Sequence, residues 1–436
     1  MKRILSTLVL GAGFSTTAIA GGLGYGATAT TGPSSNHFSL FAISNPAMGA
    51  LMVPESESWR FAYFPNISSS TEVGNVDNFV DDLDDLIDII DDPTSTSDSA
   101  QEVLDRFNGV LGEMGDNGYV KTTLGVSAPL MPLFVRSDSL GGTLSVELDL
   151  KTQVGLRILD DELSYDDQTG SFSTNTSAYV KSGIQTKLAL GYSFPLLTNY
   201  FETSSGQLYG GVKMGFTQME LSKQVIALQQ LDGKDVDNII EDEYDNNLRS
   251  TTGLELDLGL LWVADNYRLG LTLSNLNSPS YKYGAVGENC DSYEEASSAR
   301  AHCETATYFV QVRGELKARE THTKHAVATV DASYFLSSRW VLSSSLDLAA
   351  YDDMVGQENQ WLHLSTAYEA KGNWLPSWRF GYQQNLAGTE LAATNVGLTL
   401  FRVLTLDLIW GTESVTVEGS TVPRQVGFSV GFQERF

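Results

Sequence analysis

Past residue 20 the sequence has no apolar run near the ~20 residues that a membrane-crossing helix needs, and it is poor in positive charge and in cysteine. The first shortage excludes a helical anchor in the remainder of the chain. The second, 27 Lys+Arg against 54 Asp+Glu, argues against nucleic acid as a direct partner, because phosphate binding wants the opposite sign. The third leaves only Cys290 and Cys303, with no CxxC pair. In an oxidising compartment they predict one disulfide closing a short loop. His302 beside Cys303, and His322 with His325, lack the further ligands a metal site requires, so neither a metal nor another cofactor is expected.

What is present begins with an export signal. Lys2 and Arg3 precede a mostly apolar run over 4–14, and Ala18-Ile19-Ala20 is a small-x-small exit. That is the pattern of a cleaved signal peptide over residues 1–20, with the mature chain starting near Gly21. The other end, 426–436, alternates strictly: Val426, Phe428, Val430, Phe432 and Phe436 share one parity, while glycine and polar residues hold the other. Period two is the signature of a strand with unlike faces.

The same pattern recurs along the chain. Leu254, Leu256, Leu258 and Leu260 alternate with Glu255, Asp257 and Gly259, and Leu404, Leu406 and Leu408 lead to Trp410 around Asp407. A soluble sandwich alternates too. Aromatics at the strand ends (Trp262, Tyr267, Tyr334, Trp340, Trp378, Trp410) and segment lengths near ~10 residues favour a transmembrane barrel. The expectation is an all-β fold, an antiparallel barrel of about fourteen strands over 57–436. The strands fall near 57–65, 118–135, 142–159, 177–194, 206–221, 250–263, 266–275, 324–336, 339–350, 360–370, 376–386, 391–401, 403–412 and 424–436. Tight links then alternate with long acidic ones, placing the long links outside the cell. The segment 307–316 resembles a strand but would break that alternation, so it is assigned to the outer loop that carries Cys290 and Cys303.

Within the barrel, 71–117 predicts two amphipathic helices. Phe79, Leu83, Leu86, Ile87 and Ile90 have helical spacing, and Ala100, Val103, Leu104, Phe107 and Leu111 repeat it after Pro93. The segment holds fourteen acids against Arg106 alone, a net of −13. It lacks the glycine-bearing ligand loop of an EF-hand, so a solvated acidic face in an outer loop is expected.

Inward parity yields a list of lumen charges: Lys121, Lys181, Lys187 and Lys213 from early strands, and Glu255, Asp257, Asp331 and Asp347 from later ones. Facing lipid, each would cost several kcal/mol, so they face water or one another. Either they form cross-strand ladders that hold the wall, or they set up a field that positions a charged or amphipathic solute. Fourteen strands enclose a lumen too wide for wall side chains to fill, and residues 21–56 are the segment left to plug it. Asn45 suits a helix cap and Pro46 a first helical position. Phe38, Phe41, Ala47 and Met48 would give this plug an apolar pocket for ligand.

The Asn45-Pro46-Ala47 stretch, the acidic run over 78–92, "LNSPSYKY" at 276–283 and "WRFGYQQNLAGT" at 378–389 resemble the TraF-like family of outer-membrane barrels associated with plasmid conjugation. In architecture the chain also resembles the FadL-like transporters of hydrophobic compounds. Those resemblances imply either a channel for hydrophobic or amphipathic small molecules with a mobile plug and a lateral or periplasmic exit, or a non-catalytic assembly component of a conjugative transfer apparatus. The ending of the chain resembles the barrel-assembly signal of such proteins, carried here by Phe428, Phe432 and Phe436. Expected partners are outer-membrane lipid, lipopolysaccharide, the barrel assembly machinery and other transfer-system proteins. An enzyme is not expected. Residues 427–431 spell G-x-S-x-G, but Ser429 lies inside a strand, where no nucleophile elbow forms.

Overall fold

The computed structural model describes residues 44–93, 96, 98–198, 206–230, 244, 247–372 and 374–432. The predicted signal peptide and the early part of the plug, with Phe38 and Phe41, lie outside the described residues, as does Phe436.

Fourteen antiparallel strands close into a barrel among the described residues. In chain order β1 comprises Trp59–Phe61 and Phe64–Val73, and β2 comprises Tyr119–Ser127 and Leu133–Ser137. Then come β3 (Gly142–Leu159), β4 (Ser177–Thr198), β5 (Gln207–Ala227), β6 (Arg249–Val263) and β7 (Tyr267–Ser274). They are followed by β8 (Val327–Ser337), β9 (Trp340–Asp347), β10 (Trp361–Tyr368) and β11 (Ser377–Asn385). The last are β12 (Ala392–Leu400), β13 (Leu404–Gly411) and β14 (Gln425–Phe432). Each strand pairs with its chain neighbours, and β14 closes the ring on β1 through Phe64↔Phe432 to Glu72↔Gln425. Full closure leaves no sheet edge for lipid to meet.

The two faces have different surroundings. Leu254, Leu256, Leu258 and Leu260 are exposed on the outer surface, whereas Glu255 and Asp257 between them are buried inside. Trp340, Tyr368 and Trp378 stack together at the tight-turn end, as an interfacial girdle requires. No described helix is long and apolar enough to cross a membrane.

Three features differ from the sequence expectation. β1 runs on to Val73, because Ser68, Ser70 and Glu72 continue the inward face although their outer partners Ser69 and Thr71 are only weakly apolar. β2 is interrupted at 128–132, opposite the break in β1 at 62–63. The stretch 307–316 does lie in the loop that carries the cysteines, but its first half is helix: α3 spans Ser298–Gln311, with Ser297 accepting from the Arg300 N–H. His302, Ala306 and Phe309 give it a buried face at helical spacing, which overrides the β-branched look of its sequence. Cys290 and Cys303 are joined, with Cα atoms 5.5 Å apart, pinning α3 to the segment before it.

The acidic insertion forms the two expected helices, α1 (Phe79–Asp91) and α2 (Ala100–Asn117). Ser99 and Glu102 build a capping box at the start of α2. Their apolar faces bury Leu86, Ile87, Ile90, Val103, Phe107 and Leu111 against Leu156 and Ile158 of β3, Ala178 and Val180 of β4, and Ile226 of β5. Those strand residues share the parity of the lipid face. α3 takes the opposite face, packing Ala306 and Phe309 with Leu159, Tyr179 and Val225. At the long-loop end the sheet is therefore covered by helices on both sides.

Candidate functional site

Two segments pack against the inner face of the wall, one toward each end, and both approach glycines. At the tight-turn end, Pro46–Met48 forms a turn of 3-10 helix that continues as Gly49–Met52. Asn45 caps it, its Oδ1 accepting from the Ala47 N–H at 2.9 Å. The same side chain donates through Nδ2 to the carbonyls of Leu260 at 3.1 Å and Leu271 at 3.4 Å, which ties the segment to β6 and β7. Gly211 and Gly259, paired across β5 and β6, form the seat. A Cβ on Gly211 would collide with Pro46 and Ala47, and one on Gly259 with Asn45. Met48, Met52 and Val53 are buried with Phe134 and Leu261, making an apolar knot beside the polar part of the wall. Arg60 passes beneath it and donates to the Met52 carbonyl at 3.3 Å.

At the other end the β9–β10 connection folds inward. Its tip carries Asp353, Met354 and Val355 to the far wall, where Met354 is buried among Met219, Leu221, Tyr281 and Tyr283. The Tyr283 hydroxyl donates to the Met354 carbonyl. Asp353 accepts from Lys121 Nζ at 3.4 Å and Gln153 Nε2 at 3.5 Å, and from the backbone N–H groups of Val355 and Gln357 at 3.1 and 2.9 Å. Burial alone would raise the Asp353 carboxyl, but Lys121 and these hydrogen bonds outweigh it and hold it below the ordinary carboxylate value.

Between them the wall carries a chain of ion pairs. Lys187 reaches Glu255 at 2.7 Å and Asp257 at 3.7 Å, and Lys213 reaches Glu147 at 3.2 Å. Lys324 of the long loop comes down to the same Glu255 at 2.6 Å, and to Gln185 at 3.2 Å. Lys181 and Lys223 share Glu320 at 2.5 and 3.6 Å, and Lys121 holds Glu72 at 3.1 Å. Burial raises Glu320, yet the two lysines keep it below the usual carboxylate range. Burial, then the charge of Lys324, pushes His322 down to about 4, so it is neutral at physiological pH. On the opposite wall Arg379 pairs with Asp407 at 2.7 Å, and Asp347 accepts from Thr329 Oγ1 and the Trp361 N–H at 2.7 and 3.1 Å.

The sequence-predicted residues thus fall into distinct groups. Lys121, Lys181, Lys187, Lys213, Glu255 and Asp257 all enter the ladder; Asp331 is buried on the inner face of β8, and Asp347 closes the end of β9. Asn45, Pro46, Ala47 and Met48 meet the wall at the glycine seat. Phe428 lies exposed on the outer face, while Phe432 packs on Phe64 with ring centroids 5.6 Å apart. The partners that sequence parity missed are Glu72, Glu147, Glu320, Lys324 and Asp353. Glu72 and Glu147 had a signal, since they share inward parity with Ser70 and Asp149; the other three sit in loops, where no periodicity tells inward from outward. Among the described residues no group of His, Cys, Asp and Glu is arranged to hold a metal ion.

Comparison with known proteins gives one family. The model described as "F plasmid transfer operon, TraF, protein" matches residues 42–347. No curated protein matches the chain. Among solved structures, the Pseudomonas putida toluene transporter TodX is similar at a TM-score of 0.42 with 12% identity, over 95% of this chain and 98% of that one. A deltaS2 mutant of the TodX monoaromatic hydrocarbon channel gives 0.45 and 12%, over 95% and 99%. A Pseudomonas aeruginosa FadL homologue gives 0.41 and 10%, over 96% and 98%. The strand ladder, not these distant likenesses, carries the fold.

Proposed function

We propose, from the premise that the chain belongs to the family described as "F plasmid transfer operon, TraF, protein", that it is a gated channel for small amphipathic or hydrophobic molecules in the bacterial outer membrane. The observation that carries this reading is the contrast within the lumen. Ion pairs and small polar residues line the wall, and the hatch end adds a buried knot of Met48, Met52, Phe134 and Leu261. A solute with one polar and one apolar end finds both kinds of surface there. Beside the knot, the interruptions of β1 at 62–63 and β2 at 128–132 leave the wall without a regular ladder. That is where an apolar solute would leave sideways, with residues 44–56 moving as the hatch.

Export through the signal over 1–20, and assembly through Phe428, Phe432 and Phe436, belong to the same proposal, as does contact with lipid and lipopolysaccharide. The protein acts without catalysis. Ser429 of the G-x-S-x-G stretch donates to Asp407 at 3.1 Å, and that carboxylate already serves Arg379, so the hydroxyl is a wall contact. The decisive experiment is uptake of the hydrophobic probe N-phenylnaphthylamine by liposomes holding the mature protein. Uptake above protein-free liposomes supports the channel; equal rates overturn it.

A second reading, a structural component of a transfer apparatus, is favoured by α1 and α2, which stand on the outer face of β3–β5 with their acidic sides exposed. Crosslinking from Asp84 or Asp88 that traps a transfer-system protein supports it, and trapping of lipopolysaccharide alone counts against it.

A further inference from the structure

We propose that residues 348–360 form a strap that closes the long-loop end of the lumen, seated on Gly155 and Gly183 and latched by Asp353. The strap's root and its seat lie on opposite sides of the ring: β5–β8 separate them one way, and β11–β14 with β1 and β2 the other. A loop that docks there has crossed the lumen. The seat is shaped for it. A Cβ on Gly155 would stand 3.0 Å from Val355 Cβ, and one on Gly183 would stand 3.2 Å from Met354 Cβ. The tip turns at Gly356, where φ is +79, a conformation that a side chain would strain.

The latch is a single carboxylate, 8% exposed, that gathers partners from both sides of the junction. Lys121 and Gln153 belong to the wall; the Val355 and Gln357 N–H groups belong to the strap. Gln153 doubles the tie, because its Oε1 accepts from the Met354 N–H at 3.3 Å. The long loop presses from above, with Tyr281 and Tyr283 on Met354. Behind the tip, Tyr351–Asp352 pair with Glu358–Asn359, and the root is tied to β11 and the turn after it, Asn385 Nδ2 donating to the Glu358 carbonyl at 3.1 Å and the Leu386 N–H to the Gln360 carbonyl at 2.6 Å. A short hairpin fixed at its tip by one buried charge has two arrangements, docked and withdrawn, and the wall charges decide between them. Lys121 keeps Glu72 as partner when the strap withdraws, so opening does not strand it.

The strap deepens the channel reading, on which its purpose rests, and it is tested without any transported solute. Ser365 shares the inward parity of β10 at its midpoint, between Ser343 and Gly381. The native cysteines are joined, so Ser365→Cys is the reactive thiol among the described residues. Intact cells are pulsed with a membrane-impermeant sulfonated maleimide. With the native strap, labelling is slow. Asp353→Asn, or replacement of Asp353, Met354 and Val355 by glycine, serine and glycine, raises the rate at least about tenfold, the scale of losing hydrogen bonds to a charge. Adding Gly183→Cys and Met354→Cys to Asp353→Asn locks the tip by oxidation and restores slow labelling. Equal rates in native, Asn and glycine–serine strands overturn the proposal, as does fast labelling of the locked form. A channel that passes no solute yet shows this pattern contradicts the transport reading and leaves the strap standing.

Discussion

The barrel has two unlike sides. β3, β4 and β5 are 18, 22 and 21 residues long, while β9, β10 and β13 on the other side have 8 each. Crossing the hydrocarbon takes roughly ten tilted residues, so the short side is membrane wall and little else. The long side continues past that span as a sheet covered by helices. There the outward parity that meets lipid lower down, at Leu188, Leu190, Val212 and Phe216, instead meets α1 and α2 at Ala178, Val180 and Ile226. One alternation thus serves two solvents along a single strand. Both inward-packed segments also lie against the long side or the strand next to it, residues 353–355 at Gly155 and Gly183 and residues 45–47 at Gly211 and Gly259. Long strands offer a firm platform because their outer ends are clamped on both faces.

That contrast can be broken in graded steps. Phe107→Ala removes the ring that α2 buries completely, at a cost of about 3–5 kcal/mol. Hydrogen exchange should then quicken at the long-loop ends of β3–β5 and stay unchanged in β9–β13; uniform quickening would mean that the two sides are one cooperative unit. A slightly smaller effect comes from pH. His322, 6% exposed in the long loop, titrates near 4 against 6.5 when free, so its burial favours the neutral form. The packed loop is fully stable above pH 6.5 and loses up to about 3 kcal/mol as pH falls to 4, the equivalent of the shift. His322→Gln should flatten that slope in thermal melts of the loop layer, and an unaltered slope would assign it elsewhere. Asp353 works at lower pH: depressed below 3.8, it supports the docked strap above that value and loses it as pH falls through its lowered pKa. Smallest is Gly259→Ala, which crowds Asn45 and should cost about 1–3 kcal/mol. It should expose residues 44–56 to protease without touching α1 and α2, and protection as in the native chain would remove the glycine seat from the account.

The membrane wall was legible because its physics is periodic. All fourteen strands follow from parity and link length, since a residue between lipid and lumen has no third option. The insertion helices were legible for the same reason at period 3.6, from Phe79 to Leu111. What escaped lies where neighbours, not solvent, decide the outcome. α3 was masked by Tyr308, Phe309 and Val310, which favour strand until Ala306 and Phe309 find the inner face of the sheet. Asp353 and Glu320 read as ordinary loop charges and Lys324 as the first residue of a strand that begins only at Val327, for nothing local distinguishes a loop that folds inward. Asn45 and Pro46 announced a helix start, but their seat, Gly211 and Gly259, looked like any small inward residues.

Nitroxide labels at Leu256, Leu364 and Val180 in the membrane-embedded protein test the division most directly. Collision with oxygen should be frequent and with a water-soluble nickel chelate rare at Leu256 and Leu364, while Val180 should meet neither, being shielded by α1 and α2. Free access of the chelate to Leu256, or of oxygen to Val180, would contradict it.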